Sequence, residues 1–115
     1  MLYQFQLDLA IKAHLASCDV VSYWTWQAER LVDMERDFTH LEKLAPETRK
    51  VLGCYMWDYG NKKPMPLNLM KHQSQVGLQW LAEGRIEGMI FLASCICDLD
   101  LEPVEWTRQW LTDLT

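Results

Sequence analysis

RKVLGCYMWDYGNKKPMP, residues 49–66, contains the strand that decides the fold. From Lys50 to Trp57 this stretch is apolar nearly throughout and rich in β-branched and aromatic residues, which predicts a short strand covered on both faces. It breaks off at Asp58, and Gly60 follows closely. Strands that are buried on both faces are typical of parallel sheets, in which crossover helices cover the faces. The stretch therefore predicts an α/β protein.

Two further stretches repeat the pattern, CDVVSYWTW at 18–26 and GMIFLASCIC at 88–97. Amphipathic segments separate the strands. After the first strand, apolar residues recur at the three- and four-residue spacing of a helix that packs one face on a sheet. These residues are Leu31, Met34, Phe38, Leu41 and Ala45. After the second strand, Pro66 and Gly84 are placed to begin and end a helix of about five turns. After the third strand, Pro103 begins a last helix. Its predicted inner stripe is Val104, Thr107, Trp110, Leu111 and Leu114.

Residues 1–16 fit two kinds of secondary structure. Apolar side chains at positions 3, 5, 7, 9 and 11 alternate as in a strand, whereas those at 2, 5, 9 and 13 follow a helical spacing. Because an αβ step into Val20 would complete the repeat, we expect a helix. The expected order is a leading helix followed by three consecutive βα units with parallel strands, in a single domain that covers residues 1–115.

The three strand ends align position by position, as VSYWTWQ at 21–27, LGCYMWD at 52–58 and LASCICD at 92–98. Since successive side chains of a strand point to opposite faces, one face carries small residues in its middle and mostly large aromatic residues or cysteine towards its carboxyl end. This face comprises Ser22, Trp24, Trp26, Gly53, Tyr55, Trp57, Ala93, Cys95 and Cys97. The other face is suited to packing under helices. Such a sheet can curve into a barrel that opens at the carboxyl ends of its strands.

Three βα units of this kind resemble the C-terminal part of a TIM-barrel (β/α)8 protein. The aromatic and acidic residues at the strand ends loosely resemble those of glycoside-hydrolase-like barrels. The resemblance extends over the whole chain but includes no family signature motif. It implies that the chain supplies the last three strands of a partial barrel domain, and that five further strands, with catalytic residues of their own, lie upstream. The expected function is that of a carbohydrate-active barrel enzyme.

Trp24, Trp26, Tyr55 and Trp57 are the candidate substrate-binding residues. Indole and phenol rings offer flat apolar platforms with a polar edge, which suits the C–H face of a sugar ring. The alternative is that the tryptophans are ordinary core residues.

Asp58 and Asp98 are the candidate catalytic acids. A glycosidase needs two carboxyl groups roughly 5 to 9.5 Å apart, and these two aspartates end neighbouring predicted strands. Strict alternation points both towards the helices, so they reach the opening only if the chain turns at Gly60 and Leu99. Alternatively, Asp98 caps the helix that follows it, and Asp58 belongs to a turn with Tyr-Gly-Asn.

Composition limits the partners. The net charge of −5 is spread along the chain without a lysine or arginine cluster, which argues against nucleic acid. The chain has neither a long apolar run nor a signal-peptide pattern, so we expect no membrane span and a cytoplasmic location. Three of its four cysteines lie in apolar runs, which fits a reducing compartment. The CxC at 95–97 lacks a second Cys or His pair at zinc spacing, so neither a metal nor a cofactor is predicted.

The ligand is expected to be a neutral small molecule. The last strand-end loop, CDLDLEP, carries three acids, which would repel phosphate. A neutral carbohydrate fits better. The alternative is a noncatalytic α/β interaction module that forms a homo-oligomer through its open sheet edges, because an exposed edge strand invites pairing.

Overall fold

A four-stranded parallel sheet forms the centre of the structure, a computed structural model that describes residues 1–7, 11–93 and 100–114. Its strands are β1 (Leu2–Tyr3), β2 (Val20–Trp24), β3 (Arg49–Tyr55) and β6 (Met89–Leu92). They lie side by side in the order β1-β2-β3-β6, and each pair is parallel. Two short strands, β4 (Trp57–Asp58) and β5 (Lys63–Pro64), form an antiparallel hairpin after β3. The chain is therefore an α/β protein, as predicted.

Within these described residues, four α-helices connect and follow the strands: α1 (Lys12–Ala16), α2 (Met34–Leu44), α3 (Leu67–Glu83) and α4 (Glu102–Leu114). Short 3-10 helices cover Gln4–Gln6 and Ala28–Asp33. The predicted limits of α3 are confirmed, because Pro66 precedes its first turn and Gly84 ends it in the left-handed conformation, with φ of 76°. Within the described ranges, no helix is both long and apolar enough to cross a lipid bilayer.

The leading helix expected for residues 1–16 is wrong at its start. Leu2 and Tyr3 form a strand that pairs in parallel with Tyr23 and Trp24, so the sheet has four strands rather than three. Among the described residues of this stretch, a 3-10 helix covers Gln4–Gln6 and α-helix is found in α1. The strand alternative holds only for Leu2 and Tyr3, because pairing with β2 decides the conformation of so short a segment.

The other predicted strands are longer than the observed ones. β3 stops at Tyr55, and Trp57 and Asp58 belong to the hairpin that follows. β6 ends at Leu92, and residues 94–99 lie outside the described residues. In α4, Leu111 and Leu114 are exposed, so its inner stripe ends at Trp110.

All three long helices pack on one face of the sheet. Tyr23 on β2 contacts Phe38 on α2, and the Phe38 ring stacks on Trp80 of α3 at 4.3 Å. On the same face, Phe91 of β6 contacts Trp110 of α4. The close approach of α3 depends on Gly77, since a Cβ there would lie 2.3 Å from Met89 Cε and 2.9 Å from Leu52 Cδ2. The hydrophobic core therefore lies between this face and the helices.

The opposite face carries Ser22, Trp24, Gly53 and Tyr55, as the alternation predicted. The alignment predicted for the last strand is wrong, because Gly53 pairs with Ile90 rather than with Ala93. The long helices α2, α3 and α4 lie on the other side of the sheet. Large apolar side chains on this face remain accessible, because Val20 is 40% and Ile90 is 44% exposed. We refer to it as the open face.

Candidate functional site

Six aromatic rings form one cluster at the carboxyl ends of β1, β2 and β3, and we call this cluster the aromatic rim. Its members are Tyr3, Phe5, Trp24, Trp26, Tyr55 and Tyr59. Centroids of contacting rings lie between 4.6 and 6.1 Å apart, within the range of favourable aromatic pairs. The carboxyl ends of parallel strands are also where α/β folds bind their ligands.

Trp24 and Tyr55 form the buried inner layer of the rim. Their ring centroids are 4.6 Å apart, and both residues are buried. The Trp24 indole lies against Gly53, where a Cβ would come within 2.0 Å of its Cδ2 atom. Its Nε1 donates to Ser22 Oγ at 3.0 Å. The small residues predicted for the middle of this face therefore make room for a large ring.

The outer layer consists of two stacked pairs that meet edge to face. Trp26 stacks on Tyr59 at 5.1 Å and 25°, and Tyr3 stacks on Phe5 at 5.3 Å and 13°. Tyr3 and Trp26 then meet at 79°. Tyr3, Trp26 and Tyr59 are half-buried, and Phe5 is 54% exposed. A ligand can therefore reach the outer layer without unfolding the sheet.

Hydrogen bonds join the three chain segments that carry the outer layer. The buried Gln4 accepts a bond from the Trp26 backbone N–H and donates one to Gln27 Oε1, both at 2.8 Å. The Gly60 backbone N–H donates to the Trp26 carbonyl at 3.3 Å. Because a Cβ at Gly60 would lie 2.7 Å from Gln27 Cγ, this loop approach also favours glycine. The rings are thereby held in place before any ligand arrives.

Asp58 lies beneath this surface and is only 1% exposed. Its Oδ1 accepts bonds from the backbone N–H groups of Ala28 at 3.4 Å and Asn61 at 3.2 Å, and its Oδ2 accepts one from Asn61 Nδ2 at 2.8 Å. The chain does turn at Gly60, as access to the opening would require. These contacts favour the turn interpretation, and a catalytic role for Asp58 stays a prediction. Asp98 lies outside the described residues.

A second carboxylate, Glu29, lies beside the same turn. Its Oε2 accepts a hydrogen bond from Asn61 Nδ2 at 3.0 Å, and the side chain is exposed. Sequence reasoning missed Glu29 because it lies in the first turn of the helical segment after β2, where an acid is usually a solvated residue.

Three of the four predicted sugar-binding residues meet in the rim, namely Trp24, Trp26 and Tyr55. Trp57 is not a member, because it lies half-buried in β4, where it pairs with Pro64. Tyr3, Phe5 and Tyr59 were missed.

The rim offers hydroxyl donors as well as ring faces. The pKa of the Tyr55 hydroxyl lies above neutral in any case, and burial, hydrogen bonding to Tyr3 and the neighbouring Tyr59 raise it further. In the part of the chain that the structure describes, no three His, Cys, Asp or Glu side chains come together as a metal site.

A depression of about 750 Å³ lies along α2 and the 3-10 helix that precedes it. The charged side chains that line it pair with one another, since Arg30 and Arg36 each contact both Asp33 and Asp37 at 3.2 to 3.6 Å. Because these side chains already pair with one another, the depression is a weaker candidate for a ligand-binding site than the rim.

Comparisons with models of protein families, with curated proteins and with solved structures find no significant match for this chain.

Proposed function

We propose that this chain forms part of a carbohydrate-active (β/α)8 barrel and that the aromatic rim binds a neutral sugar. The observation that carries the proposal is the position of the rim. Its outer rings lie at the carboxyl ends of parallel strands and belong to the face that the helices leave open.

The barrel component of the proposal is supported by the topology. Four parallel strands follow one another in chain order, with the helices on one face. In an open doubly wound sheet, by contrast, helices cover both faces. A (β/α)8 barrel keeps its helices outside and buries the inner face by closing the sheet. Four further strands would cover the exposed Val20 and Ile90 side chains.

The ligand class is supported by the chemistry of the outer layer. Flat rings bury the C–H face of a sugar, and tyrosine hydroxyl and indole N–H groups bond its hydroxyls. The exposed Glu29 nearby disfavours an anionic ligand. In a hydrolytic enzyme of this kind, Asp58 and Asp98 are the proposed acids.

Calorimetric titration with neutral monosaccharides and oligosaccharides tests the proposal. Trp26→Ala removes the centre of the outer layer, and we expect it to weaken binding by about tenfold or more, the loss that one aromatic contact of 1.4 kcal/mol would give. The matched control is Trp106→Ala, which removes an equally half-buried tryptophan that stacks on Trp110 in α4. Absence of binding across the panel, or equal losses in the two variants, would refute the sugar site.

A second candidate is a noncatalytic module that self-associates. It is favoured by the open face, because in the described part of the chain β1 and β6 are the edges of the sheet, and Ile90 of β6 is exposed. Two copies would supply eight parallel strands. Light scattering would then give twice the mass of the chain, and Ile90→Lys would restore the monomer. Val32→Lys, at an exposed apolar residue outside the sheet, is the control. A monomeric wild type would exclude this candidate.

A further inference from the structure

We infer that Glu29 is the carboxylate that binds the hydroxyl groups of the sugar, and that Asn61 is the residue that positions it. This inference rests on the proposed sugar site and names the residue that gives that site its polar specificity.

The first argument is location. Glu29 comes three residues after Trp26, and Asn61 comes two residues after Tyr59. The Trp26 and Tyr59 rings stack at 5.1 Å, and the Asn61 side chain bonds Glu29 at 3.0 Å. The same two loops are therefore joined twice, once through the rings and once through the polar pair. A carboxylate beside a ring stack is the combination that recognises both the apolar and the polar parts of a sugar.

The second argument is rigidity. Asn61 Nδ2 donates to Asp58 Oδ2 at 2.8 Å and to Glu29 Oε2 at 3.0 Å, which uses both of its N–H groups. Asp58 is itself held by the backbone N–H groups of Ala28 and Asn61. A buried carboxylate thus orients an amide, and the amide orients an exposed carboxylate. Such a supporting network lowers the cost of ordering Glu29 when a ligand binds.

The third argument is the capacity to accept hydrogen bonds. Asp58 is buried and accepts three bonds from within the protein, so little remains for a ligand. Glu29 is exposed, and an ionised carboxylate has about four acceptor positions, of which Asn61 occupies one. Sugar hydroxyls can donate to the others. Because a carboxylate repels another anion, Glu29 also selects neutral sugars over sugar acids.

Calorimetry on the full chain tests this assignment with two probes, the neutral sugar that binds best in the panel and its uronic acid counterpart. Glu29→Gln removes the charge but keeps the size. We expect it to weaken binding of the neutral sugar by about tenfold or more, because bonds to charged groups are the stronger ones. It should also reduce the ratio between the affinities for the neutral sugar and for the uronic acid. Glu47→Gln is the control, since Glu47 is an exposed acid that precedes β3 at the opposite end of the sheet.

Asn61→Ala separates positioning from direct binding. This variant keeps the Glu29 charge, so we expect weaker binding of the neutral sugar with the discrimination against the uronic acid retained. Thermal unfolding of each variant checks that the fold is intact, and Glu29→Asp serves as a second variant if Glu29→Gln is unstable.

The outcomes separate the two proposals. If the wild type binds sugar and Glu29→Gln has the same sugar affinities as Glu47→Gln, the role of Glu29 is overturned while the sugar site stands. If Asn61→Ala loses the discrimination to the same extent as Glu29→Gln, Asn61 is not merely a positioning residue. If the wild type binds no sugar, both proposals are overturned.

Discussion

Trp24 and Gly53 occupy neighbouring strands, and the indole ring of one fills the space that a side chain on the other would need. A Cβ at Gly53 would lie 2.0 Å from Trp24 Cδ2 and 2.2 Å from Cε2. The ring cannot move away freely, because its Nε1 bonds Ser22 and its other neighbour is Tyr55 at 4.6 Å. The inner layer of the aromatic rim therefore depends on this glycine.

Gly53→Ala should destabilise the protein by about 1–3 kcal/mol, the cost typical of overpacking. It should also change the near-ultraviolet circular dichroism, since the Trp24 ring must shift. Urea unfolding measures the first effect. Gly88→Ala is the control, because a Cβ at Gly88 meets no atom within 4 Å. Equal stability of the two variants would contradict the packing described for Trp24.

Asp58→Ala should destabilise the protein by about 1–3 kcal/mol, because it leaves the backbone N–H groups of Ala28 and Asn61 without their acceptor. The exposed Asp19 provides the control, and Asp19→Ala should change stability by less than about 0.5 kcal/mol. The measurement is the free energy of unfolding from urea titration. If Asp58→Ala unfolds at the same urea concentration as Asp19→Ala, Asp58 does not hold the turn.

Arg85→Ala should cost about 2 kcal/mol, since Arg85 joins α2 to the end of α3. Its guanidinium bonds Glu35 and Glu42 at 2.7 Å each and lies 5.1 Å from the Trp80 ring centroid. The side chains of Arg85 and Glu42 are only 20% and 32% exposed, so solvent screens the bond between them less than it screens a surface pair.

The control for Arg85 is Arg49→Ala, which removes a well-exposed ion pair with Glu87. Exposed pairs contribute less than about 1 kcal/mol. Thermal unfolding at low and high salt compares the two variants. A loss at Arg85 no larger than that at Arg49 would show that the Arg85 cluster does not stabilise the packing of α2 on α3.

Cys54 should resist alkylation while the protein is folded. Burial raises the pKa of its thiol, and only the thiolate reacts, so both access and ionisation oppose the reaction. Cys18 is exposed and should react within minutes at pH 8. Peptide mapping by mass spectrometry after timed iodoacetamide treatment distinguishes the two sites. Equal rates at Cys18 and Cys54 would contradict the burial of β3.

The sequence predicted the regular parts of the fold because their signals are local. Pro66 and Gly84 marked the ends of α3, and alternation assigned Trp24 and Tyr55 to one face of the sheet. The strand β1 was missed, because two residues carry too little pattern and their conformation is decided by pairing with β2.

The polar part of the site was less predictable, because contacts distant in sequence build it. Gln4 fixes the Trp26 backbone across 22 residues, and Asp58 reaches Ala28 across 30 residues. No local sequence pattern predicts such bonds. Spacing therefore suggested Asp58 as a candidate acid, while Glu29 became visible only through its hydrogen bond to Asn61.

The most direct measurement is a nuclear magnetic resonance titration of the full chain with the panel of neutral sugars, following the tryptophan indole N–H signals. The account predicts that the Trp26 signal shifts most, because its ring lies in the outer layer of the rim. The signals of Trp80, which is buried under α2, and of Trp106, on α4, should stay in place. Spectra unchanged by every sugar, or shifts confined to Trp106 and Trp110, would contradict a sugar site at the carboxyl ends of the strands.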